Sequence, residues 1–204
     1  MNKKFNRSGI LFVVSAPSGT GKTTLCNNLR QTPDLAYSVS CTTRAPRPGE
    51  ENGVDYLFLS HEQFQEKIAN NGFVEYAKVH SHYYGTPLDQ VLFHLRAGTD
   101  VLLDIDVQGA RSIRNHTLQE VRDSVADVFI MPPTVEELER RLRKRGTESE
   151  EQIAERLKTA SAEMQLWPDY KYTILSSSME EDLIKFRAIM RAERYLSRRM
   201  RINE

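Results

Sequence analysis

The stretch "SAPSGTGKTT", Ser15 to Thr24, stands directly behind the apolar run "ILFVV", Ile10 to Val14. It follows the phosphate-loop pattern G-x-x-x-x-G-K-[ST] at every position but the first, where Ala16 replaces glycine. A continuous apolar run suits a strand buried on both faces, and the residues from Gly21 onward, with Leu25 and Leu29 spaced i, i+4, suit a helix. Strand, tight loop and helix form the context that such a loop needs, because its backbone N–H groups converge on phosphate oxygens at the helix N-terminus. Gly19 and Gly21 shape the turn, Lys22 supplies a point charge, and Thr23 offers a hydroxyl to magnesium. The methyl of Ala16 is tolerable there if φ is negative and the substrate does not pack on that Cβ. An ordinary Gly/Ser turn ahead of a helix is the plainer alternative.

Three later segments resemble buried strands, each followed by a helical pattern: "DVLLDID" from Asp100, "VADVFIM" from Val125 and "YKYTIL" from Tyr170. This alternation predicts an α/β fold, a parallel β-sheet flanked by helices, with ligands at the strand C-termini. Helix starts are marked by Thr134 with Glu137, Ser149 with Gln152 and Ser178 with Glu181, each a capping-box pair. Between Ser38 and Pro87 the chain turns rich in Pro, Gly and Tyr, which predicts an inserted β-rich subdomain.

Composition narrows the partners. With 204 residues, 39% of them apolar, one embellished domain can bury its own core. Its 28 basic and 28 acidic residues cancel, so no global field favours nucleic acid or a membrane, and any anion site is local. Cys26 and Cys41 lack metal-ligand spacing and suit small core positions in a reducing cytosol. Lys3, Lys4 and Arg7 precede an apolar run too short for a secretory signal, which needs about 7–15 apolar residues. No run approaches the ~20 residues that span a bilayer, and a cytoplasmic protein is expected.

Further charged residues fit phosphate chemistry, each with a plainer alternative. Asp104 and Asp106 alternate at a strand end, which puts both on one strand face where they could share one site, and an acidic residue at such a strand end can hold magnesium; helix caps or solvated strand ends are the alternative. Arg44 and Arg47 lie in the proline-stiffened "TTRAPRPGE", where guanidinium groups can grip phosphate bidentately, or simply be solvated. Arg140, Arg141, Arg143, Arg145 and Arg156 can bring charge over transferring phosphates from a mobile lid, but an exposed helix face paired with Glu136, Glu137 and Glu139 accounts for most of them. The arginines from Arg191 to Arg201 fit an amphipathic terminal helix better than an RNA site. His80 and His82 have no third ligand at a sensible spacing and receive no role.

Taken in order, "SAPSGTGKTT", "SVSCTTRAPRPGEENGVDYLF", "GFVEYAKVHSHYYGT", "LLDIDVQGA" and "ERRLRKRGTESEEQIAERL" resemble bacterial guanylate kinases from about Ile10 to about Glu193. The resemblance implies ATP-dependent phosphorylation of GMP, and of dGMP, to GDP with Mg²⁺. It implies a core of residues 1–38, 88–145 and 163–204, a GMP-binding subdomain at 39–87 and a lid at 146–162. Ala16, Pro17, Ser18, Gly19, Thr20, Gly21, Lys22, Thr23 and Thr24 match the ATP loop, and Thr23 and Asp104 the metal side. Ser40, Arg44, Arg47, Tyr56, Glu75, Tyr84, Thr86 and Asp106 match positions that hold GMP, with the arginines and tyrosines on phosphate and Ser40, Glu75 and Asp106 on guanine. Lys22, Arg141, Arg145 and Arg156 match the catalytic cations. Ser176 and Ser177 depart from the Asn-Asp pair of similar proteins, where the Asn helps hold adenine. A non-catalytic guanylate-kinase-like interaction module is one alternative, and a kinase of the same fold for another small phosphate compound a second. Oligomeric state is not legible.

Overall fold

The apolar run behind the loop forms a strand whose residues Leu11 to Val14 are all at 0% exposure. The computed structural model describes residues 4–17, 19–79, 81–145 and 149–203. In chain order the elements are β1 (Lys4–Arg7), β2 (Leu11–Ser15), α1 (Lys22–Arg30), β3 (Leu35–Tyr37), β4 (Cys41–Thr42), β5 (Leu57–Phe58), α2 (His61–Ala69), β6 (Phe73–Val79) and β7 (His82–Pro87). There follow α3 (Leu88–Arg96), β8 (Asp100–Asp104), α4 (Val107–Arg114), α5 (Gln119–Ser124), β9 (Val125–Met131), α6 (Val135–Arg145), α7 (Glu150–Met164), β10 (Tyr172–Leu175), α8 (Met179–Arg194) and β11 (Met200–Asn203).

The main sheet runs β10-β9-β2-β8-β3, and all its neighbours are parallel. Alternation along β2 explains the unbroken apolar run: Phe12 and Val14 face Leu25 and Leu29 of α1 and Phe186 of α8, while Leu11 and Val13 face Leu95, Ile113 and Phe129. Helices therefore cover both faces, as the alternating pattern predicts. β3 was not anticipated; its three residues follow Pro33 and Asp34 and show no periodicity long enough to read.

A second sheet, β5-β4-β7-β6, lies in the Pro, Gly and Tyr rich stretch. Its core is Cys41, Phe64 and Phe73, with the two phenylalanine rings stacked at 4.5 Å. Phe64 comes from α2, whose start carries a complete Ser60/Gln63 capping box. His82 opens β7, and His80 lies outside the described residues.

The expected capping boxes divide. Ser149 and Gln152 form both reciprocal bonds. Thr134 and Ser178 receive the forward bond from the N–H of Glu137 and Glu181. The carboxylate of Glu137 instead takes Arg140 and Arg141, which hold its pKa down at about 2.

Two of the C-terminal arginines, Arg194 and Arg199, act inside the fold; α8 ends at Arg194, so Arg198, Arg199 and Arg201 lie beyond the expected terminal helix and not on it. Asp100, fully buried, accepts from Arg7, from Arg194 and from the N–H of Ile10 at 3.0 Å, tying the first strand, β8 and α8 together. Arg199 pairs with the buried Glu193 at 2.6 Å. Both cysteines are free and buried; burial foremost pushes the Cys26 thiol up to about 12 and that of Cys41 to about 11, so neither is a nucleophile near neutral pH.

Candidate active site

The loop after β2 is built by its glycines. Gly19 and Gly21 lie at φ 92° and 99°, where side chains other than glycine are strained. At Gly19 a Cβ would also sit 2.8 Å from Leu142 of α6, so this glycine lets the loop and α6 close together. Gly21 caps α1 without any side-chain acceptor, leaving the first N–H groups of the helix to point out of the loop. Thr20 folds the loop back through its N–H and hydroxyl, both donating to the carbonyl of Pro17. Among the described residues Asn71 is the sole non-glycine residue in the left-handed region, so Ala16 meets the backbone part of its condition; it is 8% exposed and packs into the core. Ser18 lies outside the described residues.

Lys22 Nζ lies 2.7 Å from Asp104 Oδ1 and donates to the carbonyl of Ile105 at 2.5 Å. Thr23 is exposed beside it, lining a cavity of about 320 Å³ with Pro17, Gly19, Lys22, Asp106 and Glu163. A second cavity, about 500 Å³, runs from Gly19 and Gly21 past Leu25, Ile130 and Arg141 to Ser176, Ser177 and Asp182.

Here the expectation for Asp106 is corrected. β8 ends at Asp104, and Asp106 is the N-cap of α4, its Oδ1 accepting from the N–H of Gly109 at 2.7 Å. The two aspartates do not share a strand face: Asp104 faces the loop lysine, and Asp106 turns toward Glu75. A Cβ built on Gly109 would lie 3.4 Å from both Asp106 Oδ1 and Glu75 Oε2, which places these carboxylates side by side. Glu75 Oε1 is held by the Thr86 hydroxyl at 2.7 Å. Burial, with Asp106 adding to it, raises the Glu75 pKa above the usual carboxylate value although Thr86 pulls the other way. One oxygen of each carboxylate is thus engaged by a fixed protein donor.

The second sheet, which carries Glu75 and Thr86, also assembles a cationic, aromatic corner. Arg44 Cζ lies 5.5 Å from the Tyr56 ring centre, and Tyr56 meets Tyr84 edge-on at 6.0 Å. Arg47 is exposed on the same loop, and Ser40, half-buried, accepts from the N–H of Leu57 through its carbonyl.

The arginines of α6 and α7 separate. Arg140 and Arg143 make surface pairs with Glu137 and Glu139, whereas Arg141 also donates to the carbonyl of Thr20 at 3.0 Å and lines the larger cavity. Arg156 is exposed on α7 and lines neither cavity. Arg145 ends α6, and its side chain is outside the described set. Sequence reasoning passed over Glu50, which binds Arg44, and Asp182, which accepts from Ser176 and Ser177. Each sits within a few residues of a recognised motif, but only the folded loop shows what it touches.

A family profile described as guanylate kinase matches residues 8–193. A guanylate kinase of Sphingopyxis alaskensis is 48% identical over 195 residues, covering 95% of this chain and 87% of that protein. One from Rickettsia prowazekii is 42% identical over 192 residues, covering 94% and 95%. The crystal structure of guanylate kinase from Anaplasma phagocytophilum superposes with a TM-score of 0.74 at 33% identity, covering 97% of this chain and 92% of that one.

Proposed function

The chain belongs to the guanylate kinase family, and on that premise we propose how this site moves a phosphoryl group from ATP to GMP. The observation that carries the account is the turn from Asp104 to Asp106. It serves the loop on one side through Lys22 and the Glu75 carboxylate on the other. Ser15 Oγ donates to the Asp106 carbonyl and the Ile105 N–H to the Val14 carbonyl, so the loop strand and the turn are one rigid piece. The donor's phosphate loop and the acceptor's base pocket are thus held on one turn.

On the donor side, the free N–H groups of the loop and Lys22 take the ATP phosphates, with Arg141 held alongside by the Thr20 carbonyl. On the acceptor side, Arg44, Arg47, Tyr56 and Tyr84 take the GMP phosphate. Glu75 and Asp106, with Ser40, take guanine. Guanine presents N1–H and N2–H₂ donors side by side, which carboxylates accept; adenine has no donor at N1. The GMP phosphate oxygen then attacks in line. Alignment and charge stabilisation carry the step without a covalent intermediate. The same contacts admit dGMP.

The donor set near the loop suits Mg²⁺: Thr23 and Asp104 are hard oxygen groups, and among the described residues no three His, Cys, Asp or Glu side chains form a cage of their own. That matches an ion which keeps waters and binds through substrate phosphates. When bound it neutralises charge building on those phosphates.

We assign residues 39–87 to GMP binding and 146–162 to a lid whose closure excludes water, of which residues 146–148 are outside the described set. Among the described residues no helix is long and apolar enough to cross a membrane. Two buried free thiols suit the cytoplasm. A purely binding module would have no use for Lys22, so Lys22→Met separates the alternatives. Turnover should fall at least about 100-fold while GMP affinity stays within about threefold; unchanged turnover would remove Lys22 from the chemistry.

A further inference from the structure

We propose that Glu50 is a positioning residue for the acceptor phosphate: its carboxylate braces the Arg44 guanidinium and the turn at Arg47 so that both meet the phosphate of GMP. The inference rests on the assignment of Arg44 and Arg47 to that phosphate, made above.

Both oxygens of Glu50 are engaged. Oε1 accepts from Arg44 Nη2 at 2.9 Å, and Oε2 from the Arg47 N–H at 2.8 Å. The Glu50 N–H donates back to the Arg47 carbonyl at 3.0 Å, closing the turn through Gly49. Arg44 Nη1 is held in turn by the carbonyl of Ala45 at 2.7 Å. The Arg44 and Glu50 side chains are only 13% and 19% exposed. The ion pair keeps the Glu50 carboxylate below, and the Arg44 guanidinium above, its ordinary pKa.

A guanidinium carries five N–H donors in a rigid plane. Protein acceptors hold Arg44 by its two terminal nitrogens, whereas its Nε–H is buried and has no acceptor among the described residues. Ala45 and Glu50 take one N–H each, so the second N–H on each terminal nitrogen can take a phosphate oxygen without displacing Glu50. The carboxylate is therefore a brace and not a rival of the ligand. Without it a long, rotamer-rich side chain and a four-residue turn would have to be ordered by GMP itself, which costs affinity.

The test measures GMP affinity, steady-state kinetics and inhibition by guanosine, which carries base and sugar but no phosphate, on wild type, Glu50→Ala, Glu50→Gln and Arg44→Ala. Glu50→Ala should raise KM for GMP about tenfold or more, with kcat at saturating GMP, KM for ATP and the guanosine inhibition constant all within about threefold of wild type. Glu50→Gln retains one acceptor oxygen and should fall between. If Glu50→Ala binds GMP as tightly as wild type or more tightly, or if guanosine and GMP weaken together, the bracing role is overturned. Arg44→Ala should weaken GMP at least as much. If it does not, the phosphate assignment falls and takes the role of Glu50 with it; if Arg44→Ala weakens GMP and Glu50→Ala does not, only the role of Glu50 is lost.

Discussion

Thr86 Oγ1 donates to Glu75 Oε1 at 2.7 Å, fixing one oxygen of a carboxylate whose pKa is raised by burial and then by Asp106. Only the ionised form accepts both guanine donors. The value of kcat/KM for GMP should therefore fall with decreasing pH through a window above the ordinary carboxylate range, and Glu75→Gln should lose that limb while keeping the one that belongs to the GMP phosphate. At neutral pH the same variant should lose about 10- to 150-fold in kcat/KM for GMP, or roughly 1.5–3 kcal/mol, with ATP affinity unchanged. The stability effect has the opposite sign. A carboxyl with a raised folded pKa binds its proton more tightly when folded, so stability falls as pH rises through the window. Glu75→Gln should thus not lower Tm at neutral pH. A variant that lost Tm and ATP binding together, with normal GMP kinetics, would make Glu75 a structural residue.

Ala16 is buried, packs with Val14 and Leu25, and lies outside the left-handed region. Ala16→Gly should leave turnover unchanged and cost about 1–2 kcal/mol, from a looser unfolded chain and a lost buried methyl. Chemical denaturation beside an ATP titration checks both. A large gain in ATP affinity would show that the methyl obstructs the loop.

What could be read in the sequence followed the length of each pattern. The unbroken Ile10 to Val14 run and the glycine-lysine loop fixed the central strand, the loop and α1, because burial on both faces and positive φ leave few residue choices. The shared strand face of Asp104 and Asp106 fails because alternation was carried past Asp104, where the strand stops and a capping aspartate begins α4. α2 carried a legible signal in Ser60 and Gln63 that the aromatic, proline-rich surroundings masked. The β1–β11 pair, joining residues such as Asn6 and Arg201, has four residues on each side, too few for the alternation of Met200 and Ile202 with Arg201 and Asn203 to be read, and is defined only by the folded chain. The bracing contact of Glu50 is likewise a property of a turn, invisible to spacing.

Ser176 and the N–H of Ser177 both donate to the buried carboxylate of Asp182, at 2.7 and 3.0 Å, so these donors are spent inside the protein. The donor base should then be weakly specified. The preference for ATP over GTP as donor should stay below about 10³-fold, equivalent to about 4 kcal/mol. Steady-state kinetics with each donor at saturating GMP decide it, and a larger preference would mean that other groups read adenine.

The most direct measurement is ADP release from ATP and Mg²⁺ with GMP, AMP, UMP and CMP offered in turn as acceptors. With Glu75 and Asp106 in the proposed role of accepting the paired donors of guanine, GMP should exceed each of the others by at least about 10²-fold in kcat/KM. AMP turning over within about tenfold of GMP would contradict the assignment of that carboxylate pair to guanine.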